Sequence, residues 1–226
     1  MPLILGKDVA LPVEVRSASA SMATWLVPAA RVTGLIRDSG LVPYGPIPGR
    51  ALVSVGLITY VDSDLGSYNE FALAAVVKRD GVVATLIHQL PVDQEFTLAA
   101  GREIWGFPKF LTTSTIETGP SGTTGTLDTT DGQRILALSL KRGLMPVPSR
   151  EVELDTYSFM DGVLRRTPFT MRSQDTKARP GGATLTLGHG HLMADELRSL
   201  GLDRTRALSV MHVGRMTATF GEATEV

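Results

Sequence analysis

One lysine in this chain sits where its amine could do covalent chemistry. Lys109 closes the string Gly101-Arg102-Glu103-Ile104-Trp105-Gly106-Phe107-Pro108-Lys109 and is followed by Phe110. Gly106 ends a helical pattern and Pro108 forces Phe107 to be extended, so Lys109 opens the next strand. With Trp105, Phe107, Pro108 and Phe110 around it, the amine either snorkels from an apolar surface or is pressed into an apolar pocket. Burial without a partner disfavours the ammonium form. A neutral lysine amine attacks carbonyls and forms a Schiff base, and the resulting iminium is an electron sink for breaking an adjacent C–C or C–H bond. On composition alone the ordinary reading is a strand-edge surface lysine, because lysine is rarely buried.

Other chemistry-bearing residues are isolated. Glu70, in Gly66-Ser67-Tyr68-Asn69-Glu70, reads by itself as a surface carboxylate near a turn. His189 and His191 lack a third ligand and read as loop or cap residues. His212 and His88 lie in alternating strands and read as hydrogen-bonded histidines. Arg102 and Glu103 are expected to hold their helix in place through hydrogen bonds. Gly181-Gly182 follows Pro180 and precedes a strand, so it reads as a turn and not a phosphate loop. The chain has no cysteine, which removes disulfides, thiolate nucleophiles and cysteine-based metal sites together.

Many strands and few helices must position these groups. Helices are expected at Pro28–Asp38, Glu95–Trp105 and His191–Leu200, with Gly40, Gly106 and Gly201 as stops. Strands are expected at Ala51–Tyr60, Glu70–Lys78, Gly81–Leu90, Lys109–Glu117, Thr123–Leu127, Arg134–Lys141, Thr184–Leu187 and Ala207–Phe220. Turns are marked by Asp80-Gly81, Asp131-Gly132 and Asp161-Gly162. Nine to twelve strands against three helices exclude a doubly wound parallel sheet. The expected fold is α+β and predominantly antiparallel β: a curved, closed, barrel-like sheet with an internal pocket and about three helices. With 226 residues and no linker-like tract, residues 1–226 are expected to form a single domain. Lys and Arg (22) nearly balance Asp and Glu (23), which argues against nucleic acid or an anionic membrane as partner. The longest apolar run, Phe71–Val77, is far short of the ~20 residues that span a bilayer, and Met1–Gly6 has no basic region of a signal peptide. A soluble, cytoplasmic protein is the expectation.

The string from Gly101 to Lys109 resembles the Schiff-base lysine signature of the acetoacetate decarboxylase superfamily. Gly66-Ser67-Tyr68-Asn69-Glu70 resembles that family's carboxylate motif at matching spacing, and Asp93 falls where the family places an aspartate ahead of the helix. The C-terminal segments His191–Leu197 and Ala218–Gly221 are similar to bacterial members. The likeness is strong over about residues 50–112. It implies that Lys109 is the Schiff-base nucleophile and Glu70 the pocket carboxylate, with Tyr68, Trp105, Phe107, Phe110, Val55 and Arg16 around the substrate. It also implies that no cofactor is needed, that the substrate is a small oxo acid, and that the chain assembles as a homo-oligomer.

This chain departs from the decarboxylase at several of those positions. Phe110 stands where a second lysine follows the nucleophile, so desolvation would have to activate Lys109. Phe107 replaces a tyrosine, and Val55 aligns with a second pocket glutamate. The family's N-terminal pocket arginine falls near Ala18, and Arg16 could replace it only with a gap. Decarboxylation is the first expectation, and an aldolase–dehydratase acting on 2-oxo acids through the same lysine is the alternative. A relative that binds a small molecule without turning it over is the rival from another class.

Overall fold

The computed structural model describes residues 1–36 and 38–226. In chain order the first elements are β1 (Leu3–Ile4), β2 (Lys7–Asp8), β3 (Val13–Pro28), α1 (Ala29–Thr33), β4 (Val42–Pro43), β5 (Arg50–Ser63), β6 (Tyr68–Arg79), β7 (Val82–Val92) and α2 (Glu95–Trp105). There follow β8 (Lys109–Leu111), β9 (Thr113–Gly119), β10 (Gly122–Asp128), β11 (Arg134–Lys141), β12 (Met145–Val147), β13 (Arg150–Met160) and β14 (Val163–Pro180). The chain ends with β15 (Ala183–Leu187), α3 (Leu192–Leu200), β16 (Ser209–Phe220) and β17 (Thr224–Glu225).

Seven strands close on themselves in the order β6-β5-β3-β16-β14-β13-β7, with β7 returning to β6. Only the β7–β13 join of that ring is parallel. Closure pairs the backbone all round and leaves no sheet edge within the ring. Beside the barrel lies a second sheet in the order β15-β11-β10-β9. Alternation along each strand sorts side chains between two cores. On β5 and β6, Val53, Val55, Leu57, Phe71 and Leu73 point outward and pack with Leu127, Leu136, Leu138 and the buried face of α3. Inside the barrel, Val13, Val15, Tyr60, Tyr68, Leu90, Trp105 and Met216 belong to the other core. No helix among the described residues is long and apolar enough to cross a membrane.

The α+β, mostly antiparallel and closed architecture is the one the sequence leads one to expect. Helix α2 spans the expected residues, and α3 begins one residue late because His191 is its N-cap, accepting from the Met193 amide at 3.1 Å. Asp80-Gly81 and Asp161-Gly162 both take positive φ, the condition for the tight hairpin turns they form. Helix α1 stops at Thr33 instead of reaching Asp38. Pro28 is still extended at ψ 129°, and Gly34 follows after a single turn; Arg37, within the expected helix, lies outside the described residues. The expected strand Lys109–Glu117 divides at Thr112, whose amide and hydroxyl both bond the Val92 carbonyl. There the chain leaves the barrel for the second sheet. Seventeen strands are described against the nine to twelve expected. The surplus comes from two- and three-residue ladders and from β3, β13 and β14. The Ser/Ala-rich run of β3 lacks the β-branched signal but pairs on both sides.

Candidate active site

Sheet register brings the two motifs together. Glu70 on β6 pairs with Val92 on β7, and Lys109 on β8 pairs in parallel with Leu90, two residues back along β7. Lys109 and Glu70 thereby face one another inside the barrel, only 3% and 5% exposed. The Lys109 Nζ lies 2.9 Å from Glu70 Oε2 and donates to Thr97 Oγ1 at 2.8 Å. It also sits 5.1 Å from the centroid of the Tyr68 ring, within range of a cation–π attraction. The other Glu70 oxygen, Oε1, accepts from the Tyr60 hydroxyl at 3.1 Å. Tyr60 and Tyr68 are cross-strand partners and stack at 4.3 Å. Burial, and next the negative charge of Glu70, push both phenols well above their ordinary range, so both keep their protons near neutrality.

Helix α2 shapes the lysine. A Cβ built on Gly101 would stand 2.5 Å from Lys109 Cδ and 2.6 Å from Cε, so the lysine stem crosses the helix where only glycine leaves room. Gly106 closes α2 in the left-handed region at φ 63°, and an added Cβ there would also strike the Arg165 guanidinium at 2.6 Å. At the other end, Gln94 Oε1 accepts from the Thr97 amide at 2.6 Å while its Nε2 donates to the Leu65 carbonyl at 3.0 Å. That side chain ties the helix carrying Thr97 and Gly101 to the loop leading into Tyr68 and Glu70. Asp93 reinforces the tie, accepting from the Asn69 amide at 2.8 Å, the Asn69 side chain at 2.9 Å and Ser114 at 2.9 Å. Arg102 and Glu103 are exposed and make no side-chain hydrogen bond among the described residues, contrary to the role expected of them.

The pair opens on a cavity of about 310 Å³ that fills the barrel interior. Tyr68, Trp105 and Phe107 line it together with Lys109 and Glu70. Val55, Arg16 and Phe110 lie elsewhere, each one position from an inward-facing residue. Ser54 and Gly56 face the cavity, so Val55 points out into the core beneath the second sheet. Val13 and Val15 take the inward positions of β3, leaving Arg16 on the surface, paired with Asp62 at 2.8 Å and Asp64 at 2.6 Å. Phe110 turns away from Lys109 and rests 5.6 Å from the His191 ring. Among the described residues no arginine lines the cavity.

Two polar residues at the amine escape the sequence motifs. Thr97 shares a helix face with Gly101 by its i, i+4 spacing, a signal available once α2 is recognised. Tyr60 is legible only as the residue opposite Tyr68 across a hairpin. The histidines lie outside this site: His88 bonds Glu196 at 3.0 Å, and His212 bonds Ser21 at 2.8 Å and the Lys141 carbonyl at 3.0 Å. No cluster of metal-ligating side chains occurs among the described residues.

Comparison with known proteins gives a consistent result. The family model described as acetoacetate decarboxylase (ADC) matches residues 1–224. The chain is similar to acetoacetate decarboxylases of Ralstonia nicotianae, at 38% identity over 78 residues, and Bordetella avium, at 35% over 78 residues. Each match spans 34% of this chain and 32% of the relative. Among solved structures, acetoacetate decarboxylase from Legionella pneumophila superposes with a TM-score of 0.73 at 20% identity, covering 96% of this chain and 88% of that one. The enduracididine biosynthesis enzyme MppR, complexed with pyruvate, gives 0.69 at 16% identity, covering 98% and 92%. These structures share the fold.

Proposed function

The chain belongs to the acetoacetate decarboxylase family, and we propose that it decarboxylates a 3-oxo acid through a Schiff base on Lys109. The observation that carries this reading is the buried Lys109 amine, 2.9 Å from Glu70 at the wall of an apolar cavity. Glu70 takes a proton from the Lys109 ammonium as the substrate enters. The amine then attacks the 3-oxo carbon and a C–N bond forms. One N–H proton passes to the oxygen and Glu70 returns the proton it took, so the oxygen departs as water and leaves an iminium beside the Glu70 carboxylate. The bond to the carboxylate carbon breaks, CO2 leaves, and the electron pair passes to the iminium nitrogen, giving an enamine. A solvent proton relayed through Glu70 adds to carbon and regenerates the iminium, and water hydrolyses it to release the ketone and the lysine ammonium. Tyr60, which keeps its proton, holds Oε1 of Glu70 and leaves Oε2 directed at Lys109.

The surroundings favour loss of charge at the substrate. A carboxylate in an apolar cavity without a fixed cation is costly, and its departure as neutral CO2 removes that cost. The iminium that remains keeps Glu70 as its counter-ion. A second reading, aldol condensation and dehydration of a 2-oxo acid, draws support from MppR. A further structure of that enzyme holds the condensation product of pyruvate and imidazole 4-carboxaldehyde, with a TM-score of 0.67 at 17% identity. Here the enamine would attack an aldehyde carbon in place of a proton.

Borohydride trapping with 3-oxo and 2-oxo acids, read by intact mass and peptide mapping, tests both. The expected result is a substrate-dependent adduct on Lys109, absent in Lys109→Ala, with CO2 evolved from the 3-oxo acid. An adduct with pyruvate plus an aldehyde and a longer carbon skeleton would favour the second reading. No adduct across the panel, with a control enzyme trapping normally, would leave a binding protein.

A further inference from the structure

Barrels of about eight strands usually have interiors just wide enough for side chains to fill, yet this seven-stranded one keeps a cavity. The reason is a run of small inward residues: Gly56 on β5, Ala72 and Ala74 on β6, and Ala218 on β16. Along β6 the lining runs from Glu70 to Val76, about 20 Å of strand at ~3.4 Å per residue. Lys109 stands at the Glu70 end. Leu154 lies at the far end, since Thr156 pairs with Thr85 and Thr85 with Val76. Leu154 lines the cavity yet is 43% exposed, so that end reaches the surface. Between the two ends the walls are mostly aliphatic or aromatic; the ionisable pair stands at the amine, and the hydroxyls of Ser54, Thr85 and Thr156 lie toward the Val76 end.

Acetoacetate, whose acyl part ends in a methyl group, would use only the lysine end of this space. The cavity also gives a substrate carboxylate no guanidinium among the described residues, so something other than a fixed cation must supply the binding free energy. Resting on the Lys109 Schiff-base reading, we infer that the substrate is a 3-oxo acid carrying a linear alkyl chain longer than a methyl group. Its chain lies along the small-residue track toward Leu154, and its carboxylate and keto carbons lie at Lys109. Burial of the chain then offsets the cost of desolvating the carboxylate, as binding of remote substrate parts can.

The test compares kcat/KM for CO2 release from acetoacetate, 3-oxohexanoate and 3-oxooctanoate, with borohydride trapping of each on Lys109. The expected gain is about fourfold for each added methylene, the factor to which about 0.8 kcal/mol per buried CH2 converts. Trapping of acetoacetate on Lys109 with kcat/KM flat or falling along the series would overturn the inference and leave the Schiff-base reading standing. No adduct from any member would overturn the Schiff-base reading itself. Variants give a second readout. A Cβ on Gly56 would meet Ile58 Cδ1 at 3.5 Å and Ala72 Cβ at 3.7 Å, ordinary contacts, so Gly56→Ala narrows the track without a clash, and Ala74→Leu fills more of it. Both should lower the ratio of 3-oxooctanoate to acetoacetate kcat/KM, Ala74→Leu more strongly. An unchanged ratio in a folded variant would refute the placement of the chain.

Discussion

Replacing Gly101 by alanine isolates the role of α2 in aiming the lysine. The added Cβ would stand 2.5 Å from Lys109 Cδ and 2.6 Å from Cε, whereas carbon atoms pack at about 3.5–4.0 Å. The lysine stem must therefore retreat by about 1 Å, carrying Nζ away from partners now at 2.9 Å on Glu70 and 2.8 Å on Thr97. The fold itself should survive. Overpacking costs about 1–3 kcal/mol, and alanine in place of a mid-helix glycine returns about 1 kcal/mol. The net loss of about 0–2 kcal/mol lowers the melting temperature by no more than about 8 °C in a chain of this length. A displacement of about 1 Å at a reacting group can slow chemistry on the order of 100-fold. Gly101→Ala should therefore melt as one cooperative unit while its borohydride adduct on Lys109 forms on the order of 100 times more slowly. A folded variant that traps substrate at the wild-type rate would refute the reasoning, because the stem would then have found another path to the same position.

Glu70→Gln keeps the shape of the side chain but removes the carboxylate 2.9 Å from Lys109 Nζ and breaks a buried pair. Urea unfolding at neutral pH should show a loss of about 3–5 kcal/mol, and the Lys109 adduct should disappear. Thr97→Val removes the acceptor 2.8 Å from Nζ and should cost about 1–3 kcal/mol in the same assay and slow adduct formation, while Thr97→Ser, which keeps the hydroxyl, should form the adduct at the wild-type rate. On the surface, burial pushes the Asp64 carboxyl up, but the Arg16 guanidinium and the Glu14 amide outweigh it and hold it below its ordinary range. A carboxyl lowered in the folded state contributes stability above its unfolded value of about 3.9 and loses it as the pH falls through the folded value. The melting temperature of Asp64→Asn should thus fall below wild type at neutral pH, and the gap should close in acid. A gap that persists under the most acidic conditions at which both still fold would point to geometry and not charge.

Short-range physics accounts for what the sequence by itself determined. The limits of α2 follow from its amphipathic spacing and from Gly106, Asp80-Gly81 and Asp161-Gly162 announce hairpins through their tolerance of positive φ, and the ratio of strands to helices points to a closed, mostly antiparallel sheet. Lys109 and Glu70 stand out as residues because their neighbours form recognisable strings. Tertiary structure decided which side of each strand a residue occupies. Because the strand period is two, a misjudgement of one position moves a side chain through the barrel wall. Val55, Arg16 and Phe110 each lie one residue from a position facing the cavity, and each points away from it. Tyr60 reaches the site through cross-strand register, which leaves no local mark, and Thr97 through the i, i+4 face it shares with Gly101, which shows only once α2 is recognised. Nor does the distance from Lys109 to Glu70 follow from their spacing along the chain. It is fixed by β7, which pairs with the strand of one motif on one side and the strand of the other on the opposite side, so the site exists only when the sheet is formed.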